Sequence, residues 1–436
     1  MDMTDCRGLL AEYLAQGCRF RMDRIVREMM DAQLAELLGP GDLLIDLAWN
    51  IGCTDLLRWC HDHDVLYINT SVELWDPYEN RALKDPTERT LYPRHMAIRE
   101  LTSQWPVKGA TAVLEHGANP GLVSHFAKKA LEDIAVSYLA LDPDDSRAIE
   151  ASLRSEDFPE IARLLGVRTI HISEIDTQET TIKDDPSVFL NTWSVEGFYE
   201  EGTSPAEMGW GTHERSLPDG ACEHKSGPRN QICLPEFGID TFVRTRVPSG
   251  DITAMVVRHG EAFTMSDYLT VRDASGTPVY RPTVHYAYCP CPATWRSLRD
   301  LRKNGYAEPK EWTILGDDIT GGRDELGVLL MGHRFRSWWT GTILSIEEAR
   351  KLVPHQNATT VQVASAVIAA IVWMIGHPRE GVLVPDQLPY KEILETARPY
   401  LGAMPSAAID WAPVEGEGDA VWQFANFMTK PAGEFV

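Results

Sequence analysis

Residues 111–134 constrain the fold more than any other stretch. Thr111-Ala-Val-Leu-Glu115 is a short apolar run, His116-Gly-Ala-Asn-Pro-Gly121 is a turn, and an amphipathic helix is predicted over 122–134. Strand, glycine-containing turn and helix in that order build parallel sheets, and ligands gather at the carboxyl ends of such strands. Two further apolar runs, 42–47 and 65–69, come earlier, with a predicted helix over 54–61 between them. Another helix is expected over about 92–104. In the turn itself, Asn119 is expected to cap the helix and Pro120 to occupy its first turn. Ordinary capping accounts for both residues. A ligand-binding turn accounts for them too, because Gly117 and Gly121 let backbone approach a ligand closely.

A chain of 436 residues is too long for one ordinary core, so two or more domains are expected. Lys plus Arg number 41 against 64 Asp plus Glu, a net charge of −23. That excess argues against nucleic acid and suits a cationic substrate. Eight cysteines are scattered without a C-x-x-C pair, the pattern of a reduced, cytoplasmic protein. Cys289-Pro-Cys291 lacks partners at zinc spacing, so no metal is expected. The start, Met1-Asp-Met-Thr-Asp-Cys6, is no signal peptide. Residues 358–376 are uncharged and largely apolar. A helix buried between domains is expected there rather than a membrane span.

Residues 167–202 read as two strands joined by a polar, acidic loop. In the first, Ile170, Ile172 and Glu174 share a face, so an apolar face ends in a carboxylate. In the second, Phe189, Asn191, Trp193 and Val195 share a face, and Glu196, Glu200 and Glu201 follow. Carboxylates and a Trp face together suit an organic cation. A buried Trp beside a solvated acidic turn fits the same letters.

Residues 136–160 are acidic and linker-like, with Asp142, Asp144, Asp145, Glu150, Glu156 and Asp157. A strand-rich region is expected from 167 to about 343. It includes strands over 253–258, ending at His259-Gly260, and over 279–288, and a hairpin at 273–277. A helix is expected over 292–303, and Asp324 and Glu325 stand just before an apolar strand. Ser345-Ile-Glu-Glu348 is a capping box. The expected architecture is α/β. Residues 1–135 form a parallel-sheet domain, and 136–344 an α+β domain with a mostly antiparallel sheet. Residues 345–436 supply helices and a tail that pack back on the first domain.

Six motifs occur in one order: His116-Gly-Ala-Asn-Pro-Gly121, Asn191-Thr-Trp-Ser-Val-Glu-Gly-Phe198, Gly209-Trp-Gly-Thr212, Asp267-Tyr-Leu-Thr-Val-Arg-Asp273, His285-Tyr-Ala-Tyr288 and Asp324-Glu-Leu-Gly-Val-Leu-Leu330. In that order they resemble the bacterial homospermidine synthase family and, distantly, the saccharopine dehydrogenase group. The resemblance implies a Rossmann-like NAD domain, a second domain for substrate and dimerisation, a homodimer, and putrescine as substrate. It implies that Trp193 faces the substrate cation. Glu174, Asn119, His259 and Asp324 would form the inner, catalytic pocket, with Glu73 and Glu201 nearer the entrance. Asn50 stands where the family has an acidic entrance residue. NAD would lie along Gly117, Ala118, Asn119 and Pro120, with Asp2 accepting from ribose hydroxyls. Read without that resemblance, His259 is a turn histidine as readily as a proton carrier.

No Gly-x-Gly-x-x-Gly follows an early strand, and Met1–Cys6 resembles the end of a second strand of a dinucleotide fold. The family's glycine loop would precede it, so the first βα unit of the fold is expected to be missing from these residues. The expectation is weak NAD binding by these 436 residues, and activity on extension upstream by roughly 35–45 residues, a βα unit plus a short arm. Two other readings stay open: an impaired polyamine-binding remnant, and a related reductive coupler of amino-acid semialdehydes, whose pocket would need basic groups.

Overall fold

The structure, a computed structural model, describes residues 1–2, 5–142 and 147–431. Four parallel strands form the first sheet: β1 (Leu43–Asp46), β2 (Leu66–Asn69), β3 (Ala112–Val113) and, from much later in the chain, Val382–Leu383. The helix Cys53–His63 joins β1 to β2, and Tyr92–Ser103 lies between β2 and β3. β2 is buried along its length, as a central parallel strand must be. On β1, Ile45 is exposed. Asp2 bridges to Met22 outside this sheet.

The second sheet is larger and mostly antiparallel. Its centre is β4 (Thr169–Asp176), which runs antiparallel to Arg323–Met331 and parallel to Thr283–Cys289. Gly250–Met255 and Phe242–Val247 continue it on one side, Ser337–Ser345 on the other. The apolar helix Leu122–Leu141 starts at the turn after β3 and packs on Arg323–Met331 and Ser337–Ser345. The helix Ala358–Gly376, long and apolar enough to cross a membrane, packs against β2 on one side and Arg323–Met331 on the other. These two helices tie the sheets together and leave a crevice at the carboxyl ends of β2 and β3.

Several sequence expectations change. Residues 188–202 are not one strand: Val188–Asn191 stops at Asn191, and a helix, Val195–Gly202, follows. Ser194 caps that helix, its Oγ accepting from the Gly197 amide at 3.2 Å, and this local capping overrides the alternation. Val188–Asn191 pairs with Glu311–Ile314 rather than with β4. Residues 136–160 are mostly helical. Leu122–Leu141 runs into them, and Arg147–Arg154 and Phe158–Leu165 follow, burying Ile149, Phe158, Ile161 and Leu165. Asp144 and Asp145 lie outside the described residues. The expected 253–258 strand is Gly250–Met255, and 279–288 divides into Pro278–Tyr280 and Thr283–Cys289 around Arg281-Pro282. Asp324 and Glu325 lie within their strand, not before it. The tail divides: Val382–Leu383 joins the first sheet, whereas Ser406–Ile409 and Met428–Thr429 extend the second.

Candidate active site

β4 brings Glu174 to the crevice because Ile170 and Ile172, on the same face, are wholly buried beneath it. Glu174 Oε2 accepts from the Tyr286 hydroxyl at 2.7 Å and from Asn119 Nδ2 at 3.3 Å. Asn119 is therefore not the helix cap. Gly121, at φ 133°, takes that place, where a Cβ would lie 1.9 Å from the Gly117 carbonyl. The turn needs a glycine there, and Asn119 is freed to point into the crevice. Its Oδ1 accepts from His259 Nδ1 at 3.0 Å.

His259 donates from both ring nitrogens, Nε2 reaching Glu201 Oε2 at 3.1 Å, and Glu261 stands 3.7 Å from Nδ1. Burial disfavours its charge, but Glu201 and Glu261 outweigh burial and raise its pKa to about 10. It is an imidazolium at neutral pH.

Beside Glu174, Asp176 and Asp324 face each other across neighbouring strands. All three carboxylates are at most 3% exposed. Asp324 Oδ2 accepts from Thr359 at 2.7 Å, while Oδ1 has no partner among the described residues. Thr192 and Gln178 donate to Asp176. Burial, reinforced by their mutual repulsion, raises the pKa of Glu174 and Asp324. Burial also raises that of Asp176, against the Thr192 and Gln178 hydrogen bonds. Aromatic rings close the walls. Half-buried Trp193 donates its Nε1 hydrogen to Tyr288 Oη at 2.9 Å, Tyr288 stacks on Tyr286 at 5.1 Å, and Tyr286 lies 4.3 Å from the His259 ring. The inner cleft is lined by Ala118, Asn119, Glu174, Trp193, His259, Tyr286, Leu326, Thr359 and Val363, with no Lys or Arg.

An outer cleft meets it at His259. Glu73, Glu115, Pro120, Glu200, Glu201, Arg94 and Arg258 line it. Glu200 is committed: Arg258 and Arg94 Nη2 donate to it and hold its pKa down despite burial. Glu73 is not. Burial pushes it up to about 7, because Arg94, 4.0 Å away, offsets only part of the desolvation.

The structure therefore brings together Glu174, Asn119, His259, Asp324, Trp193, Glu73 and Glu201, with Ala118 and Pro120 at the rim. Asn50 and Asp2 line neither cleft. Asn50 sits past β1 at φ 61° with Oδ1 buried and without a partner among the described residues, and Asp2 is exposed. Sequence reasoning missed Tyr286, Tyr288, Asp176 and Glu261. The period-two spacing of Tyr286 and Tyr288 placed both rings on one face, but nothing local says which face meets Glu174.

Comparison with known proteins gives a consistent result. Residues 3–113 match the family model described as the saccharopine dehydrogenase NADP binding domain, and residues 117–409 the saccharopine dehydrogenase C-terminal domain. The chain is 38% identical to the homospermidine synthase of Blastochloris viridis, over 99% of this chain and 91% of that one. It is also 38% identical to that of Mesorhizobium japonicum, over 97% and 88%. The crystal structure of a Legionella pneumophila homospermidine synthase in complex with NAD superposes with a TM-score of 0.85 at 34% identity, covering 98% of this chain and 90% of that one.

Proposed function

Because this chain belongs to the homospermidine synthase family, we propose that its inner cleft holds putrescine and that its outer cleft admits the second amine. The protein is an NAD-dependent aminobutyltransferase. It joins the aminobutyl group of one putrescine to a second putrescine, giving homospermidine and ammonia with no net oxidation. One observation carries the assignment of the inner cleft. Glu174 lines the cleft with one internal cation, His259, and with aromatic faces, and two more buried carboxylates, Asp176 and Asp324, stand beside it on the same sheet. Buried acids without counter-charge are costly, and an ammonium entering the cleft removes that cost. The same lack of Lys and Arg disfavours a substrate bearing carboxylates.

NAD, when bound, accepts a hydride from the carbon bearing the reacting amine and returns it to the new imine. The residues present fit the nicotinamide half. Ala118 lines the acidic cleft at the end of β3, and Gly117 beside it packs closely under Thr70 and Val363, each 3.5 Å from where a Cβ would stand. Asn119 and Pro120 extend the same wall. Glu174 and Asp324 hold an ammonium, and the Trp193 face lies against the cation. The Glu174 oxygen not taken by Tyr286 and Asn119 receives the proton that the reacting ammonium must lose, in this reading. His259, protonated at both nitrogens, supplies a proton to the departing amine. Glu73 and Glu201 draw in the incoming amine. A homodimer and a cytoplasmic location accompany the reading, the latter in keeping with eight unpaired cysteines.

Incubation of the purified protein with putrescine and NAD, with the amines separated and weighed, tests the function. Homospermidine and an equal amount of ammonia are expected once NAD is saturating, and their absence at saturating NAD would refute it. Calorimetric titration with NAD in parallel decides whether the weak binding expected from the sequence holds.

A pH dependence follows. Folding raises the pKa of Glu174, Asp176 and Asp324, so the folded state holds protons that the unfolded state has released. Their contribution therefore falls as pH rises from the ordinary carboxyl range towards neutrality. A bound diammonium favours the ionised acids and offsets that loss. Stabilisation by putrescine should then be small at pH 5.5 and larger at pH 8, read as the shift in Tm. An equal shift at both pH values would contradict the placement of the cation.

A further inference from the structure

Glu261 takes no part in the chemistry above, yet it is an expensive side chain to bury. It opens the helix Glu261–Tyr268, is 1% exposed, and among the described residues its carboxylate finds no close hydrogen-bond partner, only longer polar contact with His259 and with its own backbone. A buried acid left so poorly satisfied destabilises a fold, and its retention asks for a reason. The one ion pair it makes among the described residues is with His259 Nδ1, at 3.7 Å. Burial raises its pKa, and its neighbour Glu115 repels it and raises it further. Glu115, at φ 55°, turns its carboxylate against Gly260, where a Cβ would lie 2.0 Å from Oε2, and that oxygen meets His95 Nε2 at 3.1 Å. Glu115 thus has its own histidine, and Glu261 is left facing His259.

We propose that Glu261 is a positioning residue for the transfer reaction, keeping His259 doubly protonated with Nε2 turned to Glu201 and the substrate clefts. Every group facing His259 has a part. Asn119 Oδ1 takes the Nδ1 hydrogen but carries no charge. Glu201, from the helix Val195–Gly202, takes the Nε2 hydrogen and is partly open to solvent. Glu174, from β4, lies on the far side of Asn119 and is occupied by Tyr286. Trp193 and Tyr286 are uncharged ring contacts, and Arg258 is bound to Glu200. Glu261 alone sets a fully buried carboxylate on the Nδ1 side, where solvent does not screen it; burial raises its pKa and the pull of His259 opposes that rise. His259 then starts each transfer with a proton to give.

The inference rests on the polyamine reading only for its activity readout. Histidine titration by NMR on the whole protein, with His259 identified through a His259→Gln variant, needs neither amine nor NAD. In Glu261→Gln the His259 midpoint should fall by about one pH unit or more, the effect of removing an opposite charge at this distance. Thermal stability should be unchanged or higher, since a poorly satisfied charge is gone. The alkaline limb of the kcat/KM profile should move down with the midpoint, and Glu261→Asp should restore much of both. A structural role predicts the reverse: a lower Tm, or a Gln variant that fails to fold while Asp folds, with the His259 midpoint unmoved. Any of these would overturn the proposal. If the midpoint moves as expected but the wild-type protein makes no homospermidine, the function fails and the positioning stands.

Discussion

Trp193→Ala should fold and lose most of its transfer activity, whereas Trp193→Phe should keep part of it. The indole is half-buried, so truncation opens the cleft rather than a sealed core cavity. What is lost is a ring face beside a cation, worth about 0.5–2 kcal/mol, and with it the wall that aligns the substrate. Both variants lose the Nε1–H donated to Tyr288 at 2.9 Å. They differ only in whether an aromatic face remains. Steady-state kinetics with putrescine separate the two. Equal loss in Phe and Ala, with intact folding, would mean that the hydrogen bond to Tyr288, not the ring face, is what the reaction needs.

Glu174→Gln should weaken putrescine about ten- to a hundredfold while leaving NAD affinity alone. A desolvated carboxylate–ammonium contact contributes roughly 1.5–3 kcal/mol, which converts to that range. Gln keeps the size of the side chain and its acceptor for the Tyr286 hydroxyl, so packing is preserved. Parallel titrations with putrescine and with NAD give the answer. If NAD affinity fell and putrescine affinity held, Glu174 would belong to the cofactor's half of the crevice.

The chain discloses these residues unevenly. Glu174 is legible because a period-two face of Ile170 and Ile172 must be buried, and the next residue on that face must follow it to the sheet's end. The α/β character of the first domain is legible at residues 111–121, where turn chemistry is local. Trp193 is legible as an aromatic next to acids, but not its element. Ser194 caps a helix where alternation predicts a strand, and capping wins because its hydrogen bond is made within four residues. Asn119 looks like a cap and is not, since Gly121 alone tolerates the backbone the turn requires. His259 is ordinary in sequence and gains meaning only through Glu201, 58 residues earlier, and Asn119, 140 residues earlier. Tyr286, Asp176 and Glu261 were missed for that same reason. Their roles are set by strand order and by which face meets the crevice, and neither is written in any local pattern.

The central claim is that one closed, acidic site takes a hydride from putrescine and returns it to the coupled product. The most direct test uses putrescine deuterated at the carbons next to nitrogen, with unlabelled NAD, and mass analysis of the amine formed. Homospermidine retaining every deuterium, with no build-up of NADH, is the predicted result. Product that has lost deuterium while NADH accumulates, or no homospermidine at all, would contradict the account.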